Sequence, residues 1–157
     1  MQQRMKTHQL TDKETDSLLL NCMTGTLATV NSDGTPYAVP VHYVFRDNAI
    51  YIHGLPVGQK ISNLKANPNI CFNIYEMRGL LMDKDGKPCD TNTAYASVVI
   101  QGKAQVVEDL NEKKAALSAV ILKYTPHLAE KEIPLNMLKG TAVIKLSVCQ
   151  MTGKYYA

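Results

Sequence analysis

The chain has 157 residues, 45% of them hydrophobic and 20% charged, which is room for one ordinary domain with a sizeable core and too apolar for a disordered chain. Seventeen Lys and Arg against fourteen Asp and Glu leave a net charge of +3 with the signs interspersed, so no field suited to a nucleic-acid backbone exists. The longest aliphatic runs, Leu18 to Leu20 and Val98 to Ile100, fall far short of the ~20 residues of a membrane span, and the opening MQQRMKTHQL lacks the apolar centre of a secretory signal, so a cytoplasmic protein is expected.

Thr11-Asp-Lys-Glu14 has capping-box spacing and predicts a short helix ending near Cys22. Gly25 to Val30 reads as a strand, residues 31–36 as a cluster of turn formers, and Tyr37 to Phe45 as a second strand, which together make a hairpin. Arg46-Asp-Asn48 turns tightly into a third strand, Ala49 to His53. Three strands with no room for crossover helices require an antiparallel start. Gln59 to Asn67 is a short helix stopped by Pro68, Ile70 to Tyr75 a fourth strand, and Arg78 to Thr93 a long polar loop. Tyr95 to Val107 is a fifth strand with a bulge expected at Gly102. Asp109 caps a helix whose Leu117, Val120, Ile121 and Tyr124 share one face. His127 to Leu138 reads as a second, weaker helix, Gly140 to Val148 as the sixth strand, and Met151 to Ala157 as a tail.

The fold class expected is therefore mainly β: an antiparallel six-stranded barrel with peripheral α-helices, a single domain over residues 1–157. Both faces of Tyr37 to Phe45 are largely apolar, and a partner subunit is the simplest second layer. Cys22, Cys71, Cys89 and Cys149 include no Cys-x-x-Cys pair, so they read as buried free thiols, and no residue group has metal-ligand spacing.

Three places carry chemistry. At Gly58-Gln59-Lys60 a glycine turn enters a helix, where free N–H groups, the positive helix end and an ammonium would meet an anion; a solvated lysine is the plainer alternative. Pro40 cannot donate to a ladder, so Val39 and Val41 could offer backbone groups to a flat heterocycle, or the segment is a kinked edge strand. His53 ends a strand and faces the loop from Gly54 to Gly58, a common address for site residues; a satisfied sheet histidine is the alternative, and the same reading applies to His42. His8 and His127 read as solvated.

Tyr37-Ala-Val-Pro-Val-His-Tyr43, Ile50-Tyr-Ile-His-Gly-Leu-Pro-Val-Gly-Gln-Lys60 and Asn67-Pro-Asn-Ile-Cys-Phe72 together resemble the pyridoxamine 5'-phosphate oxidase-like flavoproteins, most nearly the nitroimidazole-resistance (Nim) branch. Pro88-Cys-Asp90, Tyr95-Ala-Ser-Val-Val99, Gly102-Lys-Ala104 and Met151-Thr-Gly-Lys154 follow in the family's order, with Ala96 where the family often has Arg. The resemblance implies a split β-barrel homodimer with a flavin in each of two interface clefts, FMN or alternatively FAD. It implies that Val39, Pro40 and Val41 lie against the flavin ring, that His53 and Gly54 approach it, and that Gly58, Gln59 and Lys60 meet its phosphate. Ser97 and Val98 would line the same cleft. His53 would be the catalytic residue, for contact with substrate or proton delivery. The implied activity is a flavin-dependent oxidoreductase passing electrons to a small planar acceptor such as a nitroaromatic, with NAD(P)H as a candidate donor. A non-catalytic flavin-binding stress or storage protein and a haem-handling relative are the rival readings.

Overall fold

The computed structural model describes residues 6–157, so the first half of the MQQRMKTHQL segment lies outside it. Seven strands form one sheet: β1 (Gly25–Val30), β2 (Pro36–Val41), β3 (Val44–Arg46), β4 (Ala49–Gly54), β5 (Asn69–Leu81), β6 (Asn92–Val106) and β7 (Ala142–Tyr156). Their order is β2-β1-β5-β6-β7-β4-β3, and each pairing is antiparallel. The helices are α1 (Asp12–Asn21), α2 (Gln59–Ala66), α3 (Leu110–Tyr124) and α4 (Leu135–Gly140).

Local chemistry accounts for many of the boundaries. Thr11 and Glu14 complete the capping box of α1, and Asp109 accepts from the Glu112 N–H at the start of α3. Asp47 and Asn48 both have positive φ, 51° and 55°, the conformation a two-residue hairpin turn requires between β3 and β4. The ladder of β6 with β7 shifts register between Gln101 and Gly102. A Cβ at Gly102 would collide with the Ser147 carbonyl oxygen, so only glycine allows that approach.

Six expectations are corrected. The sheet has seven strands rather than six, because the run from Tyr37 to Phe45 breaks at His42-Tyr43 into β2 and β3. These are the two edges of the sheet, so ladder hydrogen bonds do not close it into a barrel. The expected loop from Arg78 to Thr93 is shorter, since β5 and β6 stay paired out to Leu81 and Asn92. The expected tail is the second half of β7, paired with β6 from Tyr95 to Gln101, and the weak helix from His127 to Leu138 is a 3-10 turn at Pro126–Leu128 followed, after Pro134, by α4. The cysteines are free, but Cys22 and Cys71 are half-buried and Cys89 and Cys149 exposed.

The main core lies on one face of the sheet, where Leu27, Ile50, Ile52, Phe72, Ile74, Val98, Ile100, Ile144 and Leu146 meet Leu18 and Leu19 of α1 and Ile61 and Leu64 of α2. A second cluster on the opposite face seats Ala116, Leu117 and Val120 of α3 against Val44, Tyr51 and Val143. This explains why Ala49 to Ile52 is buried on both faces. Neither face of β2 is fully buried. Among the described residues, no helix is long and apolar enough to cross a membrane.

Candidate functional site

The break between β2 and β3 is held by a side chain. Tyr43 donates its backbone N–H to the Tyr124 hydroxyl at 2.9 Å, and that hydroxyl lies 2.8 Å from the Tyr43 carbonyl and 2.7 Å from the Met23 carbonyl. A phenol has one proton, so it accepts from Tyr43 and shares its own between two carbonyls. Beside it, Lys123 donates to the Cys22 carbonyl at 2.7 Å and its ammonium sits 4.1 Å from the centre of the Tyr43 ring. The C-terminal turn of α3 thus pins the kink that sequence reasoning assigned to Pro40. Pro40 itself pairs with Thr26 on an edge strand, where a missing N–H is tolerated.

The kink brings His42 close enough to His53 for its charge to act on that imidazole. The His42 ring packs 4.8 Å from that of Tyr124. Among the described residues, His53 Nδ1 is the one buried side-chain polar atom without a hydrogen-bond partner. Burial, first, and then the neighbouring His42 and Lys60 hold the His53 imidazole below its usual basicity, so it is neutral at neutral pH.

Lys60 closes the group. A Cβ built on Gly54 would sit 3.5 Å from the Lys60 Nζ, so the ammonium lies directly over the end of β4. Gly58 precedes α2 with φ 127°, a conformation that favours glycine, and no side chain caps the helix. The first N–H groups of α2 therefore point outward beside Lys60 with no side-chain acceptor. The Gln59 amide is engaged with Asn31 and Asn63 at 3.1 and 2.8 Å.

The sequence-predicted residues fall into three groups. His53, Gly54, Gly58 and Lys60 lie together at the end of β4 and the start of α2, and half-buried Val39, exposed Pro40 and half-buried Val41 lie on the edge strand β2. Ser97 and Val98 stand away from the β4 end. Ile52 and Val106 both pair with Ile144, and Ser97 stands nine residues further along β6, roughly 30 Å of strand. Those two side chains also point to opposite faces: Val98 is in the main core, whereas Ser97 lines a cavity of about 310 Å³ with Leu10, Thr15, Val99, Met151 and Lys154. A Cβ at Gly153 would press to 2.7 Å from the Thr15 hydroxyl, so glycine lets the segment before α1 lie on β7 and roof that cavity.

Sequence reasoning missed Tyr124 and passed over His42. Tyr124 lies 81 residues from the backbone it satisfies, and its place on the apolar stripe of α3 reads as core; only its hydroxyl, a buried tyrosine's need for a partner, hinted otherwise.

Residues 11–155 match the protein family described as pyridoxamine 5'-phosphate oxidase. Among solved structures, a candidate 5-nitroimidazole antibiotic resistance protein from Bacteroides thetaiotaomicron is 26% identical, with a TM-score of 0.76 over 92% of this chain and 84% of that one. A flavocytochrome from Azotobacter vinelandii matches at a TM-score of 0.85 and 17% identity, over 100% of this chain and 72% of that one. An FAD and heme binding protein from Mycobacterium smegmatis matches at 0.82 and 19%, over 92% and 71%. These last two likenesses are of fold. No curated protein matches the sequence.

Proposed function

Since the chain belongs to the pyridoxamine 5'-phosphate oxidase family, we propose that it binds a flavin and acts as a flavin-dependent oxidoreductase of the nitroimidazole-resistance type. One observation carries the reading: the buried, unpartnered His53 Nδ1 lies beside His42 and Lys60, next to a helix N-terminus that no side chain caps. Basic groups, free N–H donors and an orphaned polar atom suit an anionic ligand with a polar ring edge. One ammonium at one helix end suits a single terminal phosphate, which favours FMN over FAD.

A bound flavin would supply hydride and electron transfer from its ring. Lys60 and the first turn of α2 would hold its phosphate, while Val39, Pro40 and Val41 would present β2 to the ring. His53, neutral and half-buried, would contact the acceptor or hold a proton at Nδ1 or Nε2. The acceptor would be a small planar nitroaromatic and the donor NAD(P)H. Because Ser97 stands apart from His53 within one chain, a second copy would bring Ser97 and the Val98 backbone to the cleft. The two sheet edges are joined by only His42 and Tyr43, which supports a split barrel, one domain per chain. Free cysteines suit a reducing, cytoplasmic compartment.

The absorption spectrum of the purified protein tests this. The expected result is a flavin spectrum that bleaches with NADH or NADPH and returns on adding a nitroaromatic. A yellow protein that never bleaches would support binding or storage alone, a Soret band would support haem handling, and a colourless protein that takes up no flavin would refute the assignment.

A further inference from the structure

We infer that Asn63 is a positioning residue: it locks the helix that carries Lys60 to the hairpin that carries Val39 to Val41, and so fixes the distance between the phosphate end and the ring end of the site. The inference rests on the flavin reading above. Asn63 is 2% exposed, and its amide is engaged on both sides. Its Nδ2 donates to Thr29 Oγ1 at 3.0 Å and to Asn31 Oδ1 at 2.8 Å. Its Oδ1 accepts from Gln59 Nε2 at 2.8 Å, and Gln59 also donates to Asn31 at 3.1 Å. Thr29 passes the connection on, donating its own proton to the Tyr37 carbonyl on β2 at 3.4 Å. Tyr37 stands two residues before Val39 on the same edge strand.

The polar network is unnecessary for packing α2, whose Ile61 and Leu64 already bury the apolar side in the main core. What it adds is register. Hydrogen bonds are directional, and a buried amide moved from its partners leaves donors and acceptors unpaired, whereas apolar contacts tolerate sliding. Gln59 is the first residue of α2 and Lys60 the second, so the tie acts on the very turn whose N–H groups and ammonium face the phosphate. A ligand held at two ends is sensitive to displacements well below 1 Å between them.

Riboflavin, which lacks the phosphate, separates this role from general stability. In fluorescence titrations of the full chain, FMN should bind more tightly than riboflavin, and Lys60→Ala should abolish most of that preference. Asn63→Ala should weaken FMN by roughly 10-fold, about 1.4 kcal/mol, while riboflavin changes by less than about 3-fold on the same scale. Thr29→Val, nearly isosteric, should move the FMN-to-riboflavin ratio in the same direction by less, and it decides the matter if Asn63→Ala does not fold. Equal weakening of both ligands, or an unchanged ratio, would show that Asn63 only stabilises the fold and overturns the inference. A wild-type chain that binds both ligands equally overturns the phosphate assignment, and one that binds neither overturns the flavin reading itself.

Discussion

His53 owes its chemistry to its surroundings. Burial disfavours its charged form, and His42 and Lys60 add positive charge beside it, so its folded pKa lies below that of an unfolded histidine, near ~6.5. The unfolded chain therefore binds the proton more readily. The stabilisation that follows is fully present above the unfolded value and is lost as pH falls through the folded one. Thermal melts of the flavin-free protein from about pH 8 to pH 5 should show a falling midpoint, and His53→Gln should flatten the acidic limb; parallel curves would mean that His53 is not held neutral. The grouping of His53, Gly54 and Lys60 was legible in the sequence because one strand, loop and helix carry all three. His42 was not, since its closeness to His53 depends on where β2 stops and β3 starts. Nor was the pairing of Asn63 with Thr29, 34 residues away.

At the scale of elements, the sequence disclosed caps, turns and the Gly102 bulge because each is a local bargain between neighbouring residues. It hid whatever a distant element decides. The run from Tyr37 to Phe45 looks like one continuous strand, and the signal that divides it is the phenol of Tyr124 at the far end of α3. The end of β5, the first residues of β6 and the second half of β7 look like loop and tail because none of their residues is fully buried; only pairing with one another makes them strands. Tyr124→Phe should keep the ring against His42 yet leave the Tyr43 N–H without its acceptor. Removing such a partner costs about 1–3 kcal/mol, to be read as a lower denaturant midpoint with an unchanged slope. A variant as stable as the wild type would mean that water replaces the phenol and that the kink is set by β2 itself.

For the whole molecule, the apolar surface is unevenly covered. The sequence suggested that both faces of Tyr37 to Phe45 need a partner; the structure gives half of that task to the chain itself, burying Tyr43 in the main core and Val44 beneath α3. The β2 half remains uncovered, and on the arm formed by β5 and β6, Tyr75, Met77, Leu80 and Met82 are exposed. Apolar surface left exposed in this way suits an interface. A homodimer should therefore form, burying more than ~2,000 Å² in total if it is obligate. In one chain Ser97 stands roughly 30 Å of strand from the β4 end of the site; if a flavin that touches both bridges two chains, cofactor binding is linked to association. Flavin should tighten the dimer, and dilution should release flavin. Sedimentation of flavin-free and flavin-loaded protein across a dilution series reads both effects, and a flavin-loaded protein that sediments as a monomer would require the whole site to be built from Val39 to Val41, His53 and Lys60 of one chain, without Ser97.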